Sequence, residues 1–309
     1  MEISILTISG IFLSLTCLFL SIFLSFFCRN NAQRLMVVYN IFVAVWGAGL
    51  AVVGVRNLSI ENAAFVWKLS QSDGFFVPVI FMHLILEVCE VKRRKLLIFA
   101  YSQAAVFVVL TWFNKLGYRL DYVFNSFYYV RAENFAYTAM SILWFSSLIY
   151  GFYMLVKTFL MARGIKRKQL MYLIIAMFIG FFGGVSHFYL SFGIMVYPFP
   201  ETIVIYILIT AYAIFRHRLL NVEVIVKKTL VFTGLLASIF GMLILPTLII
   251  QEYLFRGAGA AGRVLGLAIS GIIIIFSMRR IEGALVNVTE KFLFQKKYDY
   301  KELLKTFTA

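Results

Sequence analysis

Nine runs of apolar residues cover most of the chain, at 3–27, 35–55, 62–90, 96–113, 135–160, 169–193, 202–217, 229–250 and 262–280. A run that stays apolar over a window of about 19 residues predicts a transmembrane helix, because a rise of 1.5 Å per residue takes roughly 20 residues across a ~30 Å hydrocarbon core. The connection RHRLLNVEVIVKK, Arg216 to Lys228, alternates apolar and polar residues and predicts a short amphipathic joint at the membrane surface. After the ninth run the chain leaves as RRIEGALVNVTEKFLF, with Ile281, Leu285, Val288 and Phe292 at spacings of four, three and four. That repeat suits a helix pairing with a partner helix, and equally one lying on the inner leaflet. The expected fold class is all-α, a polytopic membrane helical bundle.

Charge then orients the pattern. With the N-terminus outside, the inner loops collect Arg29 and Arg34, Lys92 to Lys95, Lys157, Arg163 and Lys166 to Lys168, and Arg216, Arg218, Lys227 and Lys228. The tail from Arg279 adds seven more cations, while the outer side holds only Arg56, Lys68, Lys115, Arg119, Arg131, Arg256 and Arg263. A split of 22 inside to 7 outside places the C-terminus in the cytoplasm by the positive-inside rule. The net charge of +15 sits in short clusters beside apolar spans, so its expected partner is anionic inner-leaflet lipid and not nucleic acid.

Composition removes the soluble alternative: 62% of residues are apolar and 14% charged, too little polar surface for water. The start, Met1-Glu2-Ile3, has no basic region or small-residue cleavage site, so the first run reads as a retained helix. Cys17 lies within a span and Cys28 and Cys89 at cytoplasmic ends, which predicts free thiols. The longest outer connection, Asn114 to Asn134, carries Tyr118, Tyr122, Phe124, Phe127, Tyr128 and Tyr129, read here as an interfacial aromatic belt more than a ligand pocket. Trp46, Trp67, Trp112 and Trp144 are likewise read as belt or core, without a ligand role.

The run from Gly193 to Phe232, GIMVYPFPETIVIYILITAYAIFRHRLLNVEVIVKKTLVF, carries a family signal. It resembles the last part of the seven-transmembrane sensor region at the N-terminus of bacterial sensor histidine kinases: a Gly followed by Tyr-Pro, then Ala-Tyr-Ala-Ile running into basic residues and Arg-Leu. Gly193, Tyr197, Pro198, Ala211, Tyr212, Ala213, Ile214, Arg216, Arg218 and Leu219 stand in those places. The third run, with Phe76, Pro78, Phe81, His83 and Leu84, is similar to the family's third helix, and the tail from Phe292 to Phe307 looks like the segment leading to cytoplasmic GAF, PAS or kinase modules. The resemblance implies a sensor core at 1–218, an amphipathic connection with two added spans at 219–280, and a cytoplasmic signalling linker at 281–309. It also implies a bacterial cell membrane and a homodimer through the C-terminal helix.

Kinase chemistry is not expected from these 309 residues, since neither a phosphoacceptor His on a cytoplasmic helix nor an ATP-binding domain occurs; His217, in Arg-His-Arg-Leu, lacks a following acidic residue. The chain is read as a fragment or as a protein lacking its output module. No zinc-peptidase or serine-hydrolase motif is present, so the expectation is a non-enzyme. The runner-up, a small-molecule transporter or permease, finds no internal repeat and no pair of broken helices in matching positions.

Ionisable residues inside spans are costly and mark candidate sites. On one continuous helix Asp73, His83, Glu87 and Glu90 fall within an arc of roughly 100°, predicted to face the bundle. Asp73 lies about 28 Å from the inner side, His83 about 13 Å and His187 about 27 Å. Asp73 and His187 thus share a level, where they form a pair or are two separately satisfied polar residues, the simpler reading. His83 and His187 differ too much in depth to ligate one haem, so no cofactor is expected. Candidate ligand or sensing residues are Asp73, His83, Glu87 and His187; candidate transmission residues are Pro78, Arg216, Arg218, Ile281, Leu285, Val288 and Phe292. Gly180 with Gly184 is read as a small-residue packing pair, and Pro78 as a kink or a freed carbonyl. The expected stimulus is a small molecule, a peptide, lipid or the bilayer itself.

Overall fold

In the computed structural model, residues 4–217 are described except 27, 29, 200 and 201, with backbone alone at 204, 211, 212 and 214–217. The eighth and ninth runs, Arg218 and the Ile281, Leu285, Val288 and Phe292 seam lie outside the described residues, and Arg216 is known there by its backbone only.

The helices are α1 (Ile5–Ser25), α2 (Asn31–Val53), α3 (Ile60–Gly74), α4 (Val77–Val88), α5 (Arg94–Trp112), α6 (Phe135–Met161), α7 (Gly164–Ser191) and α8 (Thr202–His217). Their starts follow from side chains that cap free backbone N–H groups. Ser4 accepts from the Thr7 amide, Ser59 from Asn62, Asn134 from Ala136 and Tyr137, and Asn30 forms a reciprocal capping box with Gln33. Three ends share one device: Glu90, Asn114 and Gly193 take positive φ, and the following residue donates back to a carbonyl five residues earlier. Six candidate spans are long and apolar enough to cross a membrane, α3 and α4 together making one of 29 residues, and α8 is a further apolar helix of 16.

α1, α2, α4, α6, α7 and α8 form a closed circuit of neighbours, while α3 packs on α2 above α4 and α5 lies outside α3 and α4. α4 is the most enclosed, with only Val77, His83, Glu87 and Val88 of its residues outside the buried set. Large apolar side chains such as Leu15, Ile22, Phe99 and Ile149 face outward, as lipid contact requires. The chain is a multi-pass membrane protein.

Two expectations are corrected. The third run is not one helix: it breaks at Phe75–Phe76, because Pro78 has no N–H to give the Gly74 carbonyl, and the Trp144 indole donates to that carbonyl instead at 3.1 Å. Its polar stripe does not face the bundle as one set either: Asp73 has a buried Oδ2, but the residues below the break turn away. Glu87 is exposed, His83 is partly buried against the Tyr101 hydroxyl at 3.0 Å, and Glu90 leaves the helix through its positive φ to meet Lys166 at 3.7 Å. The second correction concerns Asn114 to Asn134, which folds as an antiparallel hairpin of β1 (Tyr118–Val123) and β2 (Phe127–Ala132), with Tyr122 opposite Tyr128 and Asp121 opposite Tyr129. Its turn puts Phe124 and Asn125 at φ 52° and 46°, as a type I′ turn does. The bulky Phe124 bears strain there, which ring packing on Tyr197 at 5.1 Å offsets.

α1 and α2 cross without side chains between them at Gly10 and Gly47. A Cβ on Gly10 would lie 2.7 Å from the Gly47 carbonyl oxygen and 2.9 Å from Ala51 Cα, both backbone and unable to yield. A Cβ on Gly184 meets nothing within 4 Å. Gly10→Ala should therefore cost about 1–3 kcal/mol and lower the thermal midpoint in detergent, whereas Gly184→Ala leaves it nearly unchanged; equal midpoints would contradict the crossing.

Candidate functional site

Next to the break at Pro78, beneath the hairpin, a cavity of about 110 Å³ lies between α2, α3, α6, α7 and β2, with Ile203 of α8 also in its wall. The hairpin covers this end of the bundle, opposite the connections that carry Lys92 to Lys95 and Arg163 to Lys168.

Aromatic rings make the wall. Trp46 stands edge-on to His187 with centroids 4.6 Å apart, Trp67 edge-on to Tyr129 at 4.8 Å, and Trp144 tilted against Phe188 at 5.0 Å. Each indole is held by its position on a helix and, for two of them, by a backbone acceptor: Trp67 donates to the Tyr128 carbonyl at 2.9 Å and Trp144 to that of Gly74. The belt reading is thereby corrected for Tyr129, which lines the cavity, while Trp46, Trp67 and Trp144 take the core side of the belt-or-core expectation and line the cavity as well; Trp112, half exposed near the end of α5, donates to Ser72 Oγ at 3.1 Å.

The polar groups on the wall are few and uncharged. His187 is 6% exposed, and its Nδ1 lies 2.6 Å from the Tyr129 hydroxyl, which also lies 3.2 Å from the His187 carbonyl. That hydroxyl has one proton. Given to the carbonyl, it leaves Nδ1–H to donate to Tyr129 and exposes a lone pair at Nε2; given to Nδ1, it leaves Nε2 as a donor. Nε2 is buried and unpartnered, so the Tyr129 proton sets whether it is a donor or an acceptor. Gln71, 8% exposed, is unpartnered at both Oε1 and Nε2. Tyr137 completes the set by donating to Ser191 Oγ at 3.3 Å.

Of the sequence candidates, His187 is in the cavity wall and Asp73, His83 and Glu87 are not. Trp144 joins the Gly74 carbonyl to the Phe188 ring, so the chain neighbours of Asp73 and His187 meet on one side chain. They are not paired: His187 has Tyr129, and Asp73 Oδ2 is buried without a partner. Gln71, Tyr129 and Trp144 were missed. Gln71 stands in a polar stretch, Lys68 to Asp73, where nothing in the sequence sets it apart from its neighbours. The small-residue pair is also reassigned: Gly180 lies under the Tyr206 ring and Gly183 against Thr202 and Ile203, while Gly184 borders the cavity. Among the described residues no group of His, Cys, Asp and Glu is placed to hold a metal ion.

The hairpin is electrostatically quiet. Arg119 bonds Asp121 at 2.8 Å and lies 3.5 Å from Glu133, and these acids push its pKa up, though exposed pairs of this kind add little stability. Burial pushes the Tyr118 phenol up to about 12 and the Tyr129 phenol well above its ordinary value, so both stay neutral at physiological pH.

The Gly193, Tyr197 and Pro198 signature now has a physical meaning. Gly193, at φ 87°, closes α7 directly beneath the Arg131 guanidinium, and the Tyr197 ring is gripped by Phe124 and Phe127 of the hairpin at 5.1 and 5.9 Å. The motif joins the end of α7 to the cavity's cover. No curated protein and no solved structure matches the chain. A family profile does, the N-terminal 7TM region of histidine kinase, over residues 10–223. With more than half of its length matched, and with six apolar spans and the apolar helix α8 under a motif that docks the hairpin, the chain belongs to the family of N-terminal seven-transmembrane sensor regions of histidine kinases.

Proposed function

We propose that this chain is the sensing part of a bacterial two-component protein, with the hairpin outside and the basic side in the cytoplasm, and that it relays occupancy of the cavity through α8 to a cytoplasmic output module. One observation carries the reading: the cavity lined by Gln71, with its unpartnered carboxamide, and by His187, with its unpartnered Nε2, has α8 as part of its wall. Ile203 touches the cavity, and one turn on Tyr206 fills the space over Gly180, edge-on to Tyr39 at 5.9 Å and 3.4 Å from Asn40 Oδ1. Tyr39 lines the cavity as well, so a ligand that moves either wall shifts the seat of α8. A ligand shifts such an equilibrium only by its difference in affinity for two seats of α8, and a coupling of about 1–3 kcal/mol gives a useful response.

The test joins the chain to a kinase module driving a reporter. Ile203→Trp, which intrudes on the cavity, and Tyr206→Phe, which frees Asn40 from its hydroxyl partner, should each move basal output about fivefold or more, the lower end of that coupling range. Output unchanged in both, with normal membrane levels, would sink the reading. Solute uptake by vesicles carrying the chain would instead favour a permease.

A further inference from the structure

Most buried amides in a folded protein are paired, because an amide taken out of water without a hydrogen bond is penalised. Gln71 breaks that rule at both ends of its carboxamide, 8% exposed and on a cavity wall. A carboxamide presents an acceptor beside a donor in one plane, and its complement is a group with a donor beside an acceptor on one edge. No Lys, Arg, Asp or Glu stands among the lining residues, so a charged ligand would find no counter-ion. The volume, about 110 Å³, is that of a site for one ring: a dry cavity of ~150 Å³ holds benzene in another protein. The indole and phenol faces of Trp46, Trp67 and Tyr129 favour a flat ring over a chain.

Resting on the sensor reading above for its purpose but not for its geometry, we propose that the cavity binds an uncharged, flat, single-ring molecule with a lactam or amide edge, which pairs doubly with Gln71. His187 Nε2 takes a further polar atom of the ring where one exists, as donor or acceptor according to the Tyr129 proton. A site built to hydrogen-bond its ligand rejects the analogue without the bond far better than a greasy pocket rejects a missing methylene. Loss of one bond should weaken binding about tenfold, equivalent to about 1.4 kcal/mol.

The test is equilibrium dialysis of radiolabelled probes against nanodiscs that carry the full chain, with empty nanodiscs as the partition control. 2-Pyridone should bind saturably at one site per chain. N-methyl-2-pyridone, which keeps the ring and the carbonyl but lacks the donor, should bind at least about tenfold more weakly. Gln71→Met, close in size and without the amide, should bring 2-pyridone down to the level of its N-methyl analogue while leaving benzene uptake intact, which shows that the cavity still folds. No saturable 2-pyridone binding, equal affinity for the two pyridones, or an unaltered preference in Gln71→Met would each overturn the proposal, as would a site filled by water only. The two readings fail separately. If the pyridones discriminate as stated but reporter output ignores Ile203 and Tyr206, the relay is wrong and the site stands; if output responds but no lactam probe saturates, the ligand class is wrong and the relay stands.

Discussion

Trp144→Ala is expected to cost about 3–5 kcal/mol, at the upper end of what single core truncations do. Two losses coincide at this side chain. Its ring packs against Phe145, Phe181 and Phe188, with centroids 5.2, 6.1 and 5.0 Å away, so truncation merges a new void with the existing cavity. Its N–H also serves the Gly74 carbonyl, to which Pro78 can donate nothing. Thermal unfolding in detergent should show the loss, and free indole added to Trp144→Ala should recover part of it by refilling the void. Trp144→Phe separates the parts: it keeps most of the packing and orphans the carbonyl, for about 1–3 kcal/mol. Adding Pro78→Ala supplies a backbone N–H to that carbonyl and should partly rescue Trp144→Phe, while doing little for the protein with Trp144. A Trp144→Phe variant as stable as the parent would show that the Gly74 carbonyl does not need the indole.

The spans were legible because lipid leaves no choice: backbone groups in hydrocarbon must pair within a helix, so apolar runs such as Phe135–Met161 and Gly164–Ser191 report helices directly. Depth along a span is estimated from sequence for the same reason, since rise per residue is fixed, and the chain neighbours of residues 73 and 187 do meet on Trp144. Facing was not legible. It depends on helix phase, and a two-residue interruption at Phe75–Phe76 resets the phase between Asp73 and His83, which left Glu87 and Glu90 outside the bundle. The hairpin was hidden by its composition. Alternation in YRLDYV and FYYVRA is a strand signal, but the same tyrosines suit a membrane interface, and only tertiary packing turns Tyr129 onto His187 while leaving Tyr122 exposed. Gln71 was not legible: an uncharged polar residue in a span costs less than a charged one, so charge does not mark it, yet both ends of its carboxamide are buried without a partner.

Gly193→Ala should cost about 2–4 kcal/mol, from two sources that a double-mutant cycle can divide. At φ 87° an L side chain is strained whatever surrounds it, and here the added Cβ also lands on the Arg131 guanidinium of β2. Arg131→Ser removes the obstruction and leaves the strain. Alone it should be mild, because Arg131 is partly exposed at the end of its strand. In the double variant the steric part disappears and the conformational part remains, so the two substitutions should be less harmful together than their sum by about 1 kcal/mol or more. Exact additivity would mean that Arg131 swings clear at no cost and that strain is the whole effect. The consequence reaches the cavity, since Gly193 sits between α7, which carries His187, and Tyr197, which holds the hairpin turn. Loosening that closure uncovers Tyr129 and frees its hydroxyl from His187, so Gly193→Ala should also speed hydrogen exchange across Tyr118–Ala132 while that of α1 and α2 stays slow.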